Sequence, residues 1–450
     1  MKRRMLSVIT ALALCLSLCP TWAFAAEGGS EPTDLVIDVG ALTGVQKIEV
    51  NGNTVSMDGG EAQTFSTLVL TGTAENLLIK ISHSDQVTLR DLHIDITRSD
   101  VYDTLLDLYE GSSVRVEGTV ALASSGSVIV GDRKSGITGP GSLMIDYRGT
   151  DTAVLFEQGI SIGGDLSISA PSGCPAEAAS GFVCPITARN ITLTHGQDSW
   201  YSNTLNLNAV DTLTIDNQAI AAKVAKEDDT RPDFSYLTEA DLDGAFAADS
   251  GNAGTTITLL ADVERTEPLQ IRIACVLDLG GHTICCEQEC LTVYCDDTGA
   301  PSNVTIQGKG KVISTNNTAL TVWGNVTLKG GTFTSNGRGF GGVYVSNQNA
   351  NLSVTGESVI IQNTGGGYGL AVNNVQSVRL SAGTYSGEAA AIFISDSDSF
   401  TLGNLLPMFQ CAYFDENGAP IIGQLDQKAL YGTVTVGECM HDKSVCEYTP

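Results

Sequence analysis

The strongest constraint on this chain is the self-similarity of its second half. Asn303-Val-Thr-Ile-Gln-Gly recurs as Asn325-Val-Thr-Leu-Lys-Gly, Asn351-Leu-Ser-Val-Thr-Gly, Ser377-Val-Arg-Leu-Ser-Ala and Ser399-Phe-Thr-Leu-Gly, at steps of 22, 26, 26 and 22 residues. A second alternating run keeps the same phase, at Leu291-Thr-Val, Leu320-Thr-Val, Val343-Tyr-Val, Leu370-Ala-Val and Ile392-Phe-Ile. A third falls at Val312-Ile313, Thr332-Phe333-Thr334, Val359-Ile360 and Thr384-Tyr385. Three short strands in each unit cannot bury their apolar side alone. Coiling solves this by stacking each turn's inward Leu, Val and Ile on those of the next, with strands in parallel ladders about 4.8 Å apart. The expected fold is all-β, a right-handed parallel β-helix with three short strands per turn. Asn303, Asn325 and Asn351 then share one bend, where stacked amides bond along the axis in a structural role.

The first half repeats more loosely, through Val87-Thr-Leu, Val114-Arg-Val, Leu143-Met-Ile, Leu166-Ser-Ile, Ile191-Thr-Leu and Leu213-Thr-Ile. The steps are 27, 29, 23, 25 and 22, which reads as the same architecture with longer loops. Between the arrays, alternation stops from Lys223 to Asp249. Thr238 with Asp241 resembles a capping box, and Leu242 and Phe246 share a helical face, so a short helix is expected to cover the open end of the second coil. The expected organisation is a leader at 1–25, a first array at 30–220, a linker with the capping helix at 221–255, a second array at 256–436 and a Cys/His-containing tail at 437–450.

The N-terminus explains the leader. Lys2, Arg3 and Arg4 precede an apolar run from Met5 to Cys19, then Pro20 and Ala23-Phe24-Ala25, which reads as a secretory signal cleaved after Ala25. Leu14 before Cys15 and Leu18 before Cys19 argue against lipid attachment at either cysteine. No later stretch is long and apolar enough to span a bilayer, so a secreted or cell-surface location is expected. Pro450 arrives without a sorting motif or hydrophobic tail, which is compatible with truncation. Removing the three basic leader residues leaves 21 basic residues against 51 acidic, a net charge of −30. Such a surface repels nucleic acid and anionic membranes.

The twelve cysteines become ten once Cys15 and Cys19 leave, and an exported chain permits disulfides. Cys174 and Cys184, each followed by proline, bound one loop and are the disulfide candidate. Cys275 and Cys295 alternate with apolar residues and read as core thiols or disulfide partners. Cys285, Cys286, Cys290 and Cys295 lack the paired spacing of a zinc ribbon, and Cys439, His441 and Cys446 offer only three ligands.

At this point a resemblance emerges. Val276-Leu-Asp-Leu-Gly-Gly-His-Thr-Ile284, Val304-Thr-Ile and Gly330-Gly-Thr-Phe333 resemble the strand and turn phrases of pectate-lyase-like β-helix surface proteins of Gram-positive anaerobes. Val114 to Val120 and Gly136 to Ile145 resemble a carbohydrate-binding branch of them, whose relatives bind acidic plant polysaccharide with calcium. The likeness spans most of the chain after the leader, but its phrases encode turns and core, and this fold hosts lyases, hydrolases, adhesins and stalks. A lyase of this kind implies calcium-binding aspartates with a basic residue, and a galacturonan hydrolase an Asn-Thr-Asp triplet, an Asp-Asp pair and Gly-His-Gly. No such set is present: Asp296-Asp297 has no companion, and Gly280-Gly281-His282 reads as a strand exit.

Two kinds of surface feature remain. In Asp91-Leu-His-Ile-Asp-Ile, period-two alternation turns Asp91, His93 and Asp95 outward and Leu92, Ile94 and Ile96 inward. Asp91 and Asp95 are calcium candidates, although alternate residues about 6.6 Å apart need help from a neighbouring turn and a solvated strand face is the simpler reading; Asp396 and Asp398 in the loop from Ser395 to Ser399 are a second pair of calcium candidates. The repeat register also places Tyr294 level with Trp323 on successive turns, with Tyr344 and Phe393 outward one position earlier. Sugar rings dock flat C–H faces on such rings, so these four are candidate carbohydrate-binding residues; a structural ring ladder satisfies the same spacing. The leading expectation is a non-catalytic binder of a polysaccharide or glycan. A surface adhesin binding host or neighbouring-cell protein through the loops Pro171–Pro185 and Lys223–Asp233 is the second reading, and a lyase or hydrolase with a divergent site the third.

Overall fold

The repeat phase of the second half is the register of its ladders. In a computed structural model of the chain, Asn303, Asn325, Asn351 and Ser377 are successive partners in parallel strands. Leu291, Leu320, Val343, Leu370 and Ile392 are partners in a second column. The structure describes residues 33–98, 104–132, 134–156, 159–178, 183–196, 205–226, 233–295, 301–338, 341–395, 397–402, 405–406 and 429–437. The leader, Asp296-Asp297, Asp396 and the Cys439–Cys446 tail lie outside them. Over the described residues the fold is a β-solenoid of about 13 turns with a single short α-helix. Among the described residues no helix is long and apolar enough to cross a membrane.

The third column shows one shift from the expected phase. Its inward residues are Val312, Phe333, Ile361 and Tyr385, in register across four turns. The run written Val359-Ile360 therefore turns one residue later: the strand is Ile360–Asn363, and Ile360 points to solvent. Val359 is buried at the bend before it, so two adjacent apolar residues serve different purposes.

The first half differs more. Val87 and Leu89 pair with Val114 and Val116, and Val114 pairs onward with Ile137. Ile145 instead pairs with Leu122 and Ile168, and Ile168 with Leu193. The phrases at Val87 and Val114 thus belong to one column, and those at Leu143, Leu166 and Ile191 to its neighbour. Both columns carry the same apolar alternation, and the strand Val87–Asp95 runs through both without a break. The bend between them is made by Asp91, at φ +46°, whose Oδ1 accepts Thr119 N–H of the next turn at 3.1 Å. Gly118, at φ +62°, lies against that carboxylate, where a Cβ would come within 2.0 Å of Oδ1. Asp278 and Gly308 repeat the arrangement in the second half, with Asp278 accepting Gly280 N–H and Gln307 Nε2–H.

The stacked amides bond as expected. Asn325 Nδ2 donates to Asn303 Oδ1 at 2.9 Å, Asn351 Nδ2 donates to Asn325 Oδ1 at 2.7 Å, and Ser377 Oγ donates to Asn351 Oδ1.

Two hydrophobic cores follow one another, the first ending at Ile220 and the second beginning at Ala221. The interval between the arrays contains the expected helix, Leu242–Ala245, with Leu242 and Phe246 buried. Thr238 N–H and Oγ–H both donate to Asp241 Oδ2 at its start. Phe246 O accepts Arg272 N–H, seating the helix on the first turn of the second coil. The interval also holds two strands that alternation did not show, Ala222–Lys226 and Asp233–Leu237. They pair antiparallel with each other, and the former pairs antiparallel with Thr256–Leu259. Similar reversals stand at the outer ends: Thr54–Met57 pairs antiparallel with Lys47–Asn51, and Ala429–Leu430 and Thr433–Val436 pair antiparallel with the last turns.

Among the described residues the coils are joined by side chains instead of a backbone ladder. Tyr236 OH donates to Leu205 O at 2.6 Å and accepts Leu207 N–H at 2.8 Å. Lys223 Nζ donates to Asn206 Oδ1, Asn208 Oδ1 and Leu207 O. Burial raises the pKa of Tyr236 and lowers that of Lys223 from their ordinary values.

Candidate functional site

The aromatic positions sit where the ladder puts them. Ile271, Val293 and Val322 are inward partners on three successive turns. The residues that follow them, Arg272, Tyr294 and Trp323, therefore form one row. The guanidinium carbon of Arg272 lies 4.4 Å from the centroid of the Tyr294 ring. Tyr294 meets Trp323 edge to face, with centroids 4.7 Å apart and planes at 90°. Arg272 Nη2 also donates to Gln270 Oε1, which fixes the guanidinium plane. The row ends in Trp323, 38% exposed. Burial raises the Tyr294 hydroxyl's pKa, with the Glu289 carboxylate adding to the shift and Arg272 opposing it.

Tyr344 and Phe393 occupy the neighbouring row, one residue earlier. Tyr344 is level with Thr321 and Ala371, and Ala371 with Phe393. Thr292 and Thr321 face outward in this row yet are 1% and 4% exposed, and Ala371 is buried too. The four predicted rings therefore do not make one open strip. Phe393 stacks on Tyr368 with centroids 4.7 Å apart, a second pair distinct from Tyr294 and Trp323.

Arg272 and Tyr368 differ in how far the sequence reveals them. Extending the register one turn back from Leu291-Thr-Val-Tyr onto Leu269-Gln-Ile-Arg aligns Arg272 with Tyr294, so its signal was present. Tyr368 has the parity of the inward Leu370, and alternation alone sends it to the core.

The acidic candidates have other partners. Leu92, Ile94 and Ile96 are buried as expected, but Asp91 is spent at the bend. Asp95 accepts both ends of the Arg148 fork, Nη1 to Oδ1 at 3.0 Å and Nη2 to Oδ2 at 3.1 Å. Arg148 Nε reaches Asp146 Oδ2 at 3.2 Å. Two carboxylates and a guanidinium thus converge on the outward face of the first coil. Donating to the Asp95 carboxylate raises the Arg148 pKa, so the guanidinium holds its proton and cannot serve as a base. Asp398 is exposed, and its N–H donates to Val375 O. Among the described residues no three His, Cys, Asp or Glu side chains are grouped to hold a metal ion.

Cys174 and Cys184 are both buried free thiols in this structure. Cys174 heads the strand Cys174–Ala178, paired with Thr152, and its Sγ–H points to Ala176 O; Cys184 starts the strand Cys184–His195, paired with Leu205. The two strands are consecutive but belong to different ladders of the coil, and burial pushes the Cys184 thiol up to about 12. Cys275 and Cys290 are likewise buried free thiols. His282 Nδ1 lies 3.5 Å from Asp262 Oδ1, which also accepts Thr283 N–H, as suits a strand exit.

No family model, curated protein or solved structure matches this chain.

Proposed function

We propose that this chain is an exported, non-catalytic carbohydrate-binding β-helix that docks a sugar on Trp323. The observation behind this reading is an exposed indole held rigidly from behind, its edge fixed by Tyr294 and the Tyr294 ring by Arg272. An exposed Trp costs solubility unless its face has a use, and a ring that loses no freedom on binding makes a good platform for the C–H face of a pyranose. The guanidinium two turns away adds planar donors for ring hydroxyls. The resemblance to carbohydrate-binding β-helix surface proteins of Gram-positive anaerobes leads the same way.

Glycan-array binding with and without calcium tests the reading and separates a sugar held by rings from one bridged through a cation. Trp323→Ala is expected to abolish binding, and Tyr344→Ala to weaken it less, because Tyr344 lies in the partly closed row. Failure to bind any glycan, or binding unchanged when Trp323→Ala and Tyr344→Ala are combined, would sink the proposal.

A further inference from the structure

The corner at which the strands Thr332–Ser335, Ile360–Asn363 and Gly383–Gly387 end carries a second arrangement unrelated to the rings. Inside it lies Asn363, 4% exposed. Its Nδ2 donates to Ser335 Oγ at 3.1 Å and to Gly337 O at 3.0 Å. Its Oδ1 accepts both Gly365 N–H and Gly367 N–H at 2.9 Å. A buried amide thus pins the Gly365–Gly367 backbone from within.

Outside that backbone is a cleft of about 600 Å³ lined by Asn336, Arg338, Thr364, Gly365, Gly366 and Glu388. Gly366, at φ +92°, contributes no side chain to it, and the gap is flanked on both sides. The point a Cβ would occupy lies 3.7 Å from Arg338 Cγ, on the preceding turn, and 3.8 Å from Glu388 Oε2, on the following turn. The two charges stand across a glycine without forming an ion pair with each other or with any other described residue. Arg90, Arg115, Arg148, Arg189 and Arg265 are each paired with a carboxylate, whereas among the described residues Arg272 and Arg379, like Arg338, have none and bond to uncharged side chains or to none. Thr364 Oγ–H donates to Asn336 Oδ1, which leaves the lone pairs of Thr364 Oγ for a donor in the cleft.

We infer that this corner cleft binds a small zwitterion of the free α-amino-acid class. The ligand's carboxylate meets the Arg338 guanidinium, its ammonium meets Glu388 and Thr364 Oγ, and its side chain points to solvent above Gly366. A simple anion is opposed by Glu388 and a simple cation by Arg338, whereas a ligand with both charges on adjacent carbons pairs with both walls. Because both walls are exposed to water and salt, affinity is modest, with a dissociation constant on the order of 1 mM.

Calorimetry on the full chain with alanine, N-acetylalanine and alaninamide as probes tests this. Alanine is expected to bind. N-acetylalanine, which lacks the ammonium, and alaninamide, which lacks the carboxylate, are each expected to bind at least about tenfold more weakly. Arg338→Ala should erase the preference for alanine over alaninamide, and Glu388→Gln the preference over N-acetylalanine, with Tm unchanged because both side chains are exposed. Trp323→Ala should leave alanine binding intact, which separates this site from the sugar reading. The inference fails if alanine shows no heat at about 20 mM, if the blocked probes bind as well as alanine, or if Arg338→Ala binds it like the parent.

Discussion

Asn325 donates one amide bond and accepts another along the coil axis, so its removal takes the amide donor from Asn303 Oδ1 and leaves Asn351 Nδ2 with only Gln376 Oε1 and Asn349 O as acceptors. Asn325→Ala is expected to lower stability by about 1–2 kcal/mol in urea denaturation, and Leu328→Ala, which hollows a fully buried site, by about 2–5 kcal/mol. If Asn325→Ala instead matches the parent, the amide stack contributes no net stability. The buried thiols make a separate residue-scale claim. With Cys184 and Cys275 both pushed up to about 12 by burial, neither is thiolate at pH 8. Iodoacetamide at that pH should leave both unmodified in native protein and alkylate both in guanidinium, read by peptide mass spectrometry. Labelling of native Cys184 at the rate of a free thiol would contradict its place in the core.

The elements were legible wherever one apolar pattern mapped to one column. In the second coil the Asn303 and Leu291 phrases recur with enough identity that strand register followed directly, and the Trp323–Tyr294 contact followed from register. In the first coil two adjacent columns share the same Val-x-Leu alternation, and the bend between them is encoded by Asp91 and Gly118, a pairing across 27 positions that local pattern does not reveal. The same limit applies to Arg148, whose carboxylate partner Asp95 is 53 residues away, and to the antiparallel strands Ala222–Lys226 and Asp233–Leu237, which share no phase with the repeats. Those strands carry the junction, and Tyr236→Phe isolates it. The substitution leaves Leu205 O and Leu207 N–H without the hydroxyl that joins them, at an expected cost of about 1–3 kcal/mol. Hydrogen exchange should report it as faster opening at Leu207, with amides near Asn325 unaffected; equal acceleration at both sites would mean the coils open as one unit.

Across the whole molecule, charge governs how stability responds to solution conditions. Hydrogen bonds from Arg115 and Arg90 hold Glu117 below the usual carboxylate range, those from Arg189 and Asn190 do the same for Asp165, and those from Thr238 for Asp241. A carboxylate with a depressed folded pKa contributes stability above its unfolded pKa of about 4, and that contribution is lost as pH falls through the folded value. The net charge of −27 acts in the opposite sense near neutrality, since self-repulsion fades toward the sequence pI of about 4.3. Tm is therefore expected to rise modestly from pH 7 to about 5 and to fall below about 4, and added salt should raise Tm at pH 7 by screening that repulsion. A Tm that climbs steadily down to pH 2 would show that these carboxylate bonds add nothing. The junction has a mechanical consequence as well. Hydrogen bonds within each coil lie along its axis, so axial tension is shared among all the ladders of a turn. Between the coils the load passes to Tyr236, Lys223 and the apolar contact around them, which makes this the mechanical fuse of the rod. Pulled from its ends, the molecule should part there first, with each coil intact on its own side of the break.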